Sequence, residues 1–168
     1  MIEIRKTGIT ATEAQAVVNA ANSRLLQGGG VCGAIFRAAG AARLQKACDD
    51  IGGCETGNAV ITPGFALCPY IIHAVGPIYE DGNHDEETLL YSCYISSLDL
   101  ALEHSISSIA FPLISAGIYG YPLKKAWKTA LRACKDWCRK HPDHEIRIIF
   151  TIPEQDKYET GKEIMKQV

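Results

Sequence analysis

Two glycine-rich segments are the parts of this sequence best suited to binding chemistry. SRLLQGGG ends in three consecutive glycines, 28–30, directly before an apolar run that begins at Val31, and SAGIYGY at 115–121 directly precedes Pro122. Glycine lets a ligand approach the main chain without a Cβ in the way, and the N–H groups at a helix N-terminus bind phosphate. Either loop alone is better explained as a tight turn.

The elements around the two loops predict that they lie side by side. QAVVNAA at 15–21 indicates a central strand, SIAFPLI at 108–114 indicates another, and helices follow from Val31 and from Pro122. Both loops therefore leave the carboxyl end of a strand, which is the edge where ligands bind in open α/β sheets. This matched placement favours a site in which the two loops hold a diphosphate from opposite sides.

The rest of the chain continues the alternation of strands and helices. Further strands are predicted at 2–6 near an edge, at 57–62 and 70–76 as a hairpin, and at 147–152; further helices at 42–51, 89–102 and 156–167. A polar, solvated loop is expected at 80–87. The pattern predicts an α/β fold, a mixed and mostly parallel sheet with helices on both faces, as one domain spanning 1–168.

Charge and cysteine content narrow the function classes. The net charge is −2 and the 17 Lys and Arg residues are scattered, so no nucleic-acid-binding face is expected and a bound anion must be met by main-chain N–H groups. No apolar run approaches the roughly 18 residues that indicate a membrane span. The chain has seven cysteines, an odd number, and no apolar leader is expected after MIEIRKTG. Both features favour reduced thiols and a cytoplasmic location.

Two other patterns are weaker. The fingerprint G-x-G-x-x-G is satisfied by Gly28, Gly30 and Gly33, yet about seven residues separate Gly28 from the predicted strand, and the acidic pair 49–50 lies in a predicted helix. A nicotinamide oxidoreductase is therefore a third, less supported hypothesis. CKDWCRKHPDH, with Cys134, Cys138, His141 and His144, matches no common zinc template, so neither a metal nor a cofactor is predicted.

Taken together, four segments resemble the macrodomain family, which recognises ADP-ribose: VVNAANSRLLQGGGVCGAIFRAAG at 17–40, GNAVIT at 57–62, YIIHAVGPIY at 70–79 and FPLISAGIYGYP at 111–122. The likeness is greatest to the MacroD-type group, including bacterial members that remove ADP-ribose from proteins and deacetylate O-acetyl-ADP-ribose. It implies a macrodomain-like three-layer α/β/α sandwich, with ADP-ribose, ADP-ribosylated protein and O-acetyl-ADP-ribose as partners.

The resemblance also implies roles for individual residues. Asn22 is expected to reach the ribose distal to adenine, with Asn19 supporting the loop, although loop capping is the alternative for both side chains. The remaining contacts are expected from both loops, with Tyr119 beside the distal ribose: Gly28, Gly29, Gly30 and Val31 on one side of the diphosphate, and Ser115, Ala116, Gly117, Ile118 and Tyr119 on the other.

Two positions depart from the family pattern. Cys32 in GGGVCG stands where MacroD-type enzymes have an Asp that helps position or activate the attacking water. We expect a mainly neutral thiol, which is a poor general base, and His73 is expected to be a satisfied strand residue rather than its partner. In KTGIT at 6–10, Gly8 stands where the family has the Asp that binds the adenine amino group; Ile9 still offers its backbone, and Phe150 is the candidate for stacking on adenine.

Two functions of different classes remain. The first is a hydrolase that releases mono-ADP-ribose from acidic side chains, deacetylates O-acetyl-ADP-ribose, or does both; some family members without the Asp still hydrolyse, and positioning alone supplies much of a rate enhancement. Its catalytic candidates are Asn22 and the doubtful Cys32. The second is a non-catalytic reader that binds ADP-ribose or a related nucleotide through the same loops.

Overall fold

The computed structural model describes residues 1–168 and contains all six predicted strands and all five predicted helices, with ends that differ by a few residues. The strands are β1 (Ile2–Arg5), β2 (Ala16–Ala20), β3 (Ala59–Pro63), β4 (Tyr70–Ala74), β5 (Ser108–Phe111) and β6 (Arg147–Thr151). The helices are α1 (Gly30–Ala39), α2 (Ala41–Ile51), α3 (Glu86–Glu103), α4 (Leu123–Lys140) and α5 (Gln155–Gln167), and one 3₁₀ turn covers Ile9–Ala11.

One six-stranded sheet has the order β1-β6-β5-β2-β4-β3. All neighbouring pairs are parallel except β3 and β4, which form the predicted antiparallel hairpin, and β1 lies at an edge as expected. The carboxyl ends of the four adjacent strands β4, β2, β5 and β6 therefore meet along one side of the sheet. The predicted fold class, a mixed and mostly parallel sheet between helical layers, is confirmed.

Each face of the sheet has its own apolar core, because successive residues of a strand point to opposite faces. Val18 of β2 packs into the larger core, which includes residues of α3, α4 and α5. Val17 packs into the smaller core, which includes residues of α1 and α2. The sheet is thus covered on both sides, which is why the central strands are apolar along their whole length.

Phe150 is part of the larger core rather than of a binding surface. Its side chain is fully buried, and its ring lies 5.6 Å from that of Phe111 and 5.3 Å from that of Trp127. A ring that is fully enclosed by the core has no free face to stack on a base. The expectation that Phe150 stacks on adenine is therefore wrong.

The acidic stretch 80–87 is exposed, as expected of a solvated loop, except at Glu86. Helix α3 begins inside it, at Glu86, whose side chain is 1% exposed. The Glu86 carboxylate accepts main-chain N–H groups from Glu80, Gly82 and His84 at 2.7–3.0 Å. These hydrogen bonds, with that from Glu80 contributing most, lower the pKa of the Glu86 carboxyl to about 2.

No helix of the protein combines the length and apolar character that crossing a bilayer requires.

Candidate functional site

A cavity of ≈ 390 Å³ opens at the carboxyl ends of the parallel strands. Segments that follow β2, β4, β5 and β6 form its wall: residues 20–22, 28–32, 76, 112–115, 117–119, 151–154 and 157. Neighbouring strands lie about 4.8 Å apart, so four strand ends span roughly 14 Å. The cavity is therefore suited to an extended ligand lying across the strand ends.

The first glycine loop presents unpaired main-chain donors to this cavity. The N–H of Gly28 points to the Cys32 Sγ at 3.4 Å. The N–H groups of residues 29–32 have no hydrogen-bond partner in the protein, because they form the uncapped N-terminus of α1. Gly30 has φ 56°, in the left-handed region that glycine adopts without strain. The loop thus offers a set of free N–H groups together with the positive end of the helix dipole.

Side chains hold this loop in shape. The Asn22 amide spans it, because Nδ2 donates to the Leu26 carbonyl at 2.8 Å and Oδ1 accepts the Leu26 N–H at 3.0 Å. Gln45 of α2 adds a second brace, donating to the Leu25 carbonyl at 3.0 Å and accepting the Gln27 N–H at 2.9 Å. The capping interpretation of Asn22 is thereby confirmed, while its half-buried side chain also lines the cavity.

The second glycine loop, 115–121, lines the same cavity. Ser115 has φ 68°, and its hydroxyl donates to the Pro77 carbonyl at 2.7 Å, which ties this loop to the segment after β4. The Tyr119 carbonyl accepts the Tyr79 N–H at 2.9 Å, a second tie to that segment. The N–H groups of Ser115 and of residues 117–119 have no partner in the protein. Ile118, at the tip of the loop, is 97% exposed.

The two loops together suit an anion. They follow β2 and β5, which are parallel neighbours, and residues of both loops line one cavity. Lys157 and Glu154 are the only charged residues that line it, and both follow β6 rather than either loop. An anion between the loops would therefore be held by main-chain dipoles, as the low net charge predicts.

Asn19 is placed differently from the expectation. Its side chain is 1% exposed and does not line the cavity. Nδ2 lies 3.1 Å from the Nδ1 of His73 on β4, and the buried Oδ1 has no partner. Asn19 thus hydrogen-bonds to a residue of the neighbouring strand and not to the loop backbone. It does not line the cavity.

His73 has a satisfied and neutral imidazole, as expected. The Thr62 hydroxyl donates its single hydrogen to the Pro63 carbonyl at 3.0 Å. It must therefore act as acceptor towards His73, whose Nε2–H lies 3.0 Å away. The Nδ1 of His73 is then unprotonated and accepts a hydrogen bond from the Asn19 amide. Burial lowers the pKa of His73 to about 4. The histidine lies outside the cavity wall and supplies no base to Cys32.

Cys32 lies in the first turn of α1 and is 8% exposed, with its thiol in the cavity wall. The Sγ accepts the Gly28 N–H and lies 3.8 Å from the Leu26 carbonyl. The only carboxylate in the wall belongs to Glu154, two strands away from β2. Cys32 therefore has no acid or base beside it. Its contact with the Gly28 N–H stabilises the first loop.

Three other expected contacts lie outside the cavity wall. Gly8 is exposed at the start of the 3₁₀ turn, and Ile9 is 6% exposed and packs in the smaller core with Cys32. Ala116 packs against the larger core although its neighbours in the second loop line the cavity. The wall of the cavity also includes residues that sequence reasoning missed, namely Gly76, 112–114, 151–154 and Lys157. The predicted strand 147–152 was the available signal, because the carboxyl ends of parallel strands share one edge.

The clustered titratable side chains make contacts of their own within the protein. His141 stacks on Trp137 at 4.1 Å and His144 lies 2.9 Å from the Ile106 carbonyl, so they do not gather with Cys134, which is fully buried. Asp81, His84 and Glu86 place one ligand atom each within 4.8 Å of one another, but hydrogen bonds of their own loop already engage these atoms.

A second depression, of ≈ 490 Å³, lies at the opposite edge of the sheet, lined by 10–15, 67–69 and Ser108. It is more open than the first cavity, and no glycine loop borders it. The side chains of Gln15 and Ser108 bind main-chain N–H groups there, at 2.7 and 2.8 Å. It therefore lacks the glycine-rich loops that distinguish the first cavity.

Comparisons with known proteins agree with this geometry. The family model of the Macro domain matches residues 18–130. A Macro domain-containing protein of Caldanaerobacter subterraneus is 45% identical over 96% of this chain and 95% of its own length. ADP-ribose glycohydrolase MACROD2 of Xenopus laevis is 48% identical over 90% of this chain, which spans 36% of that longer protein. The Oceanobacillus iheyensis macrodomain with ADP has a TM-score of 0.93 at 37% identity, covering 99% of this chain and 90% of that one.

Proposed function

The chain belongs to the Macro domain family, and from that premise we propose that it binds ADP-ribose and hydrolyses ADP-ribosyl esters. The substrates are proteins with mono-ADP-ribose on acidic side chains, O-acetyl-ADP-ribose, or both. One observation carries the proposal: two loops with unpaired N–H groups line one cavity. Among the relatives, a macrodomain structure with ADP supports binding, and a protein named an ADP-ribose glycohydrolase supports hydrolysis.

The ligand lies across the strand ends, with its diphosphate between the loops after β2 and β5. Tyr119 is tied to the segment after β4, so the distal ribose occupies that side of the cavity, near Gly76 and Asn22. The nucleoside then occupies the other side, against residues 151–154. A ligand of two sugars joined by a diphosphate matches the roughly 14 Å that four strand ends span.

Hydrolysis takes place at the distal ribose. Water adds, the ester C–O bond breaks, and ADP-ribose and the free acid leave. Neither Cys32 nor a neighbouring side chain provides a carboxylate base, so the water is oriented by the Asn22 amide and the ligand's own phosphate. Fixing the geometry of the attacking group accelerates a reaction even without a strong base. We expect turnover that is real and slow.

The alternative is a reader that binds ADP-ribose and performs no chemistry. Cys32 favours it, because the first loop has a thiol at this position and no carboxylate that could accept a proton from the attacking water. Both functions require the same binding geometry, so catalysis must be measured separately from binding.

The test combines calorimetry with a release assay. ADP-ribose is titrated in parallel with AMP, ADP and NAD, and release is followed from a protein with glutamate-linked mono-ADP-ribose. We expect ADP-ribose to bind best and release to exceed buffer, with a strong reduction in Asn22→Ala. Asn58→Ala, which changes an exposed asparagine outside the cavity, is the matched control. Binding without release at high protein concentration identifies a reader, and absence of ADP-ribose binding refutes both functions.

A further inference from the structure

The nucleoside side of the cavity holds a pair of opposite charges that the proposed hydrolysis leaves without a role. Glu154 directly precedes α5 and Lys157 lies in its first turn, and both line the cavity. Lys157 Nζ lies 3.9 Å from Glu154 Oε1, at the outer limit of an ion pair. The two charged groups therefore lie side by side at one end of the cavity and hold each other weakly.

Both charged groups are open to a ligand. Neither the Lys157 ammonium nor the Glu154 carboxylate makes a hydrogen bond with any other group of the protein, and the Lys157 side chain is only 28% exposed. Ile152 and Pro153 add apolar surface beside the pair. An apolar wall with one acceptor and one donor at its edge is the arrangement that recognises a flat heterocycle.

The main chain holds this pair in position. The Trp127 indole N–H donates to the Lys157 carbonyl at 3.0 Å, and the Ile152 N–H donates to the Arg5 carbonyl at 2.9 Å. Gly161 lies against the buried Trp127 ring, so closely that a Cβ there would be 2.4 Å from it. The first turn of α5 is thereby fixed to α4 and to the sheet.

We propose that Glu154 and Lys157 together select adenine as the base of the ligand. The inference rests on the proposed binding of ADP-ribose, which puts the nucleoside on this side. Adenine presents the N6 amino donor beside the N7 acceptor. The Glu154 carboxylate accepts from N6 and the Lys157 ammonium donates to N7, in the same order as an Asn or Gln amide that reads adenine.

The Glu154 carboxylate disfavours bases that carry a carbonyl at position 6, whereas the Lys157 ammonium can donate to O6 as well as to N7. Hypoxanthine and guanine present an O6 acceptor in place of the N6 donor, which would oppose the Glu154 carboxylate. Gly8 has no side chain and lies outside the cavity wall, so the β6–α5 segment is the part of this chain that provides side-chain readout of the base. A hydrogen bond to a charged group accounts for about a tenfold or larger discrimination.

The experiment measures affinities by calorimetry for ADP-ribose and two base-modified counterparts, one with hypoxanthine and one with 7-deazaadenine, which lacks N7. We expect the wild-type protein to bind the hypoxanthine compound at least about tenfold more weakly and the 7-deaza compound about three- to tenfold more weakly. Glu154→Gln should remove most of the first difference, and Lys157→Met should remove most of the second.

Matched controls separate a local contact from a general effect of charge. Glu159→Gln and Lys162→Met change the same charges on exposed positions of α5 outside the cavity, and both should keep the wild-type ratios. Equal affinities of the wild-type protein for all three compounds, or ratios that persist in Glu154→Gln and Lys157→Met, would overturn the proposal. ADP-ribose still binds in those outcomes, whereas failure of the proposed function removes ADP-ribose binding itself.

Discussion

Gly76→Ala tests the position of the second glycine loop, because the added methyl group would clash with the residues at the start of that loop. A Cβ at Gly76 would lie 2.3 Å from Ser115 Oγ and 2.5 Å from Ile114 Cγ2, where ordinary contact requires at least 3.4 Å. Ile114 is 1% exposed and Ser115 is 6% exposed, so neither side chain can simply move into solvent. The start of the loop must therefore shift by roughly 1 Å to restore ordinary contact.

The expected cost follows from these contacts. Overpacking of this kind destabilises a protein by about 1–3 kcal/mol, and disruption of the 2.7 Å hydrogen bond from Ser115 to Pro77 adds about 1 kcal/mol. The shift also moves the free N–H groups at Ser115 and 117–119. Because a displacement of about 1 Å can cost a site up to about 100-fold, we expect ADP-ribose affinity to fall at least about tenfold.

Urea unfolding measures the stability of this variant, and calorimetry measures its affinity for ADP-ribose at a temperature where it remains folded. Gly8→Ala is the stability control, since a Cβ there meets no atom within 4 Å and φ is −77°. It should change the free energy of unfolding by less than about 0.5 kcal/mol. A folded Gly76→Ala protein that binds ADP-ribose as tightly as the wild type would refute the assignment of the second loop to the diphosphate.

Three further predictions concern Cys32, His73 and Gly161. Cys32→Asp places a carboxylate in the first turn of α1, where the helix dipole favours it, and should speed ADP-ribose release at least about tenfold; an unchanged rate counts against the assigned position of the water. His73 has a pKa of about 4 in the native protein against 6.5 when exposed, so the unfolded state binds the extra proton and stability falls as pH drops below about 6.5. Unfolding between pH 7 and pH 5 should show a loss of about 2 kcal/mol that is absent in His73→Gln, and equal pH dependence of the two proteins would exclude this cause. In Gly161→Ala, a Cβ 2.4 Å from the buried Trp127 ring should destabilise by about 1–3 kcal/mol in thermal unfolding, whereas the exposed Lys162→Ala should not.

The placement of both glycine loops was predictable, because it depends on local pattern and on one topological rule. The strands before them are short apolar runs, and the helices after them have regular apolar spacing. This change of pattern indicates where each strand ends. Parallel strands then bring their carboxyl ends to one edge. Lys157 was missed because it is an ordinary polar residue of an amphipathic helix, and nothing in its neighbours indicates a cavity.

Side-chain partners were less predictable than positions. The Asn19 amide binds His73, which is 54 residues away in sequence, and the Asn22 amide binds Leu26, which is four residues away. The second bond is local and follows from the habit of Asn to cap loops, whereas the first depends on the register of β2 against β4. A single sequence does not state that register.

The alternation of strands and helices, the two glycine loops and the substitution at Cys32 can be recognised in the amino-acid sequence, since each depends on residues close together in the chain. Long-range contacts are responsible for the burial of Phe150 among aromatic rings, for the buried acceptor at Glu86, and for the position of Glu154 and Lys157 beside the cavity. Burial and charge environment depend on contacts between distant segments, and these contacts exist only after the sheet order is set.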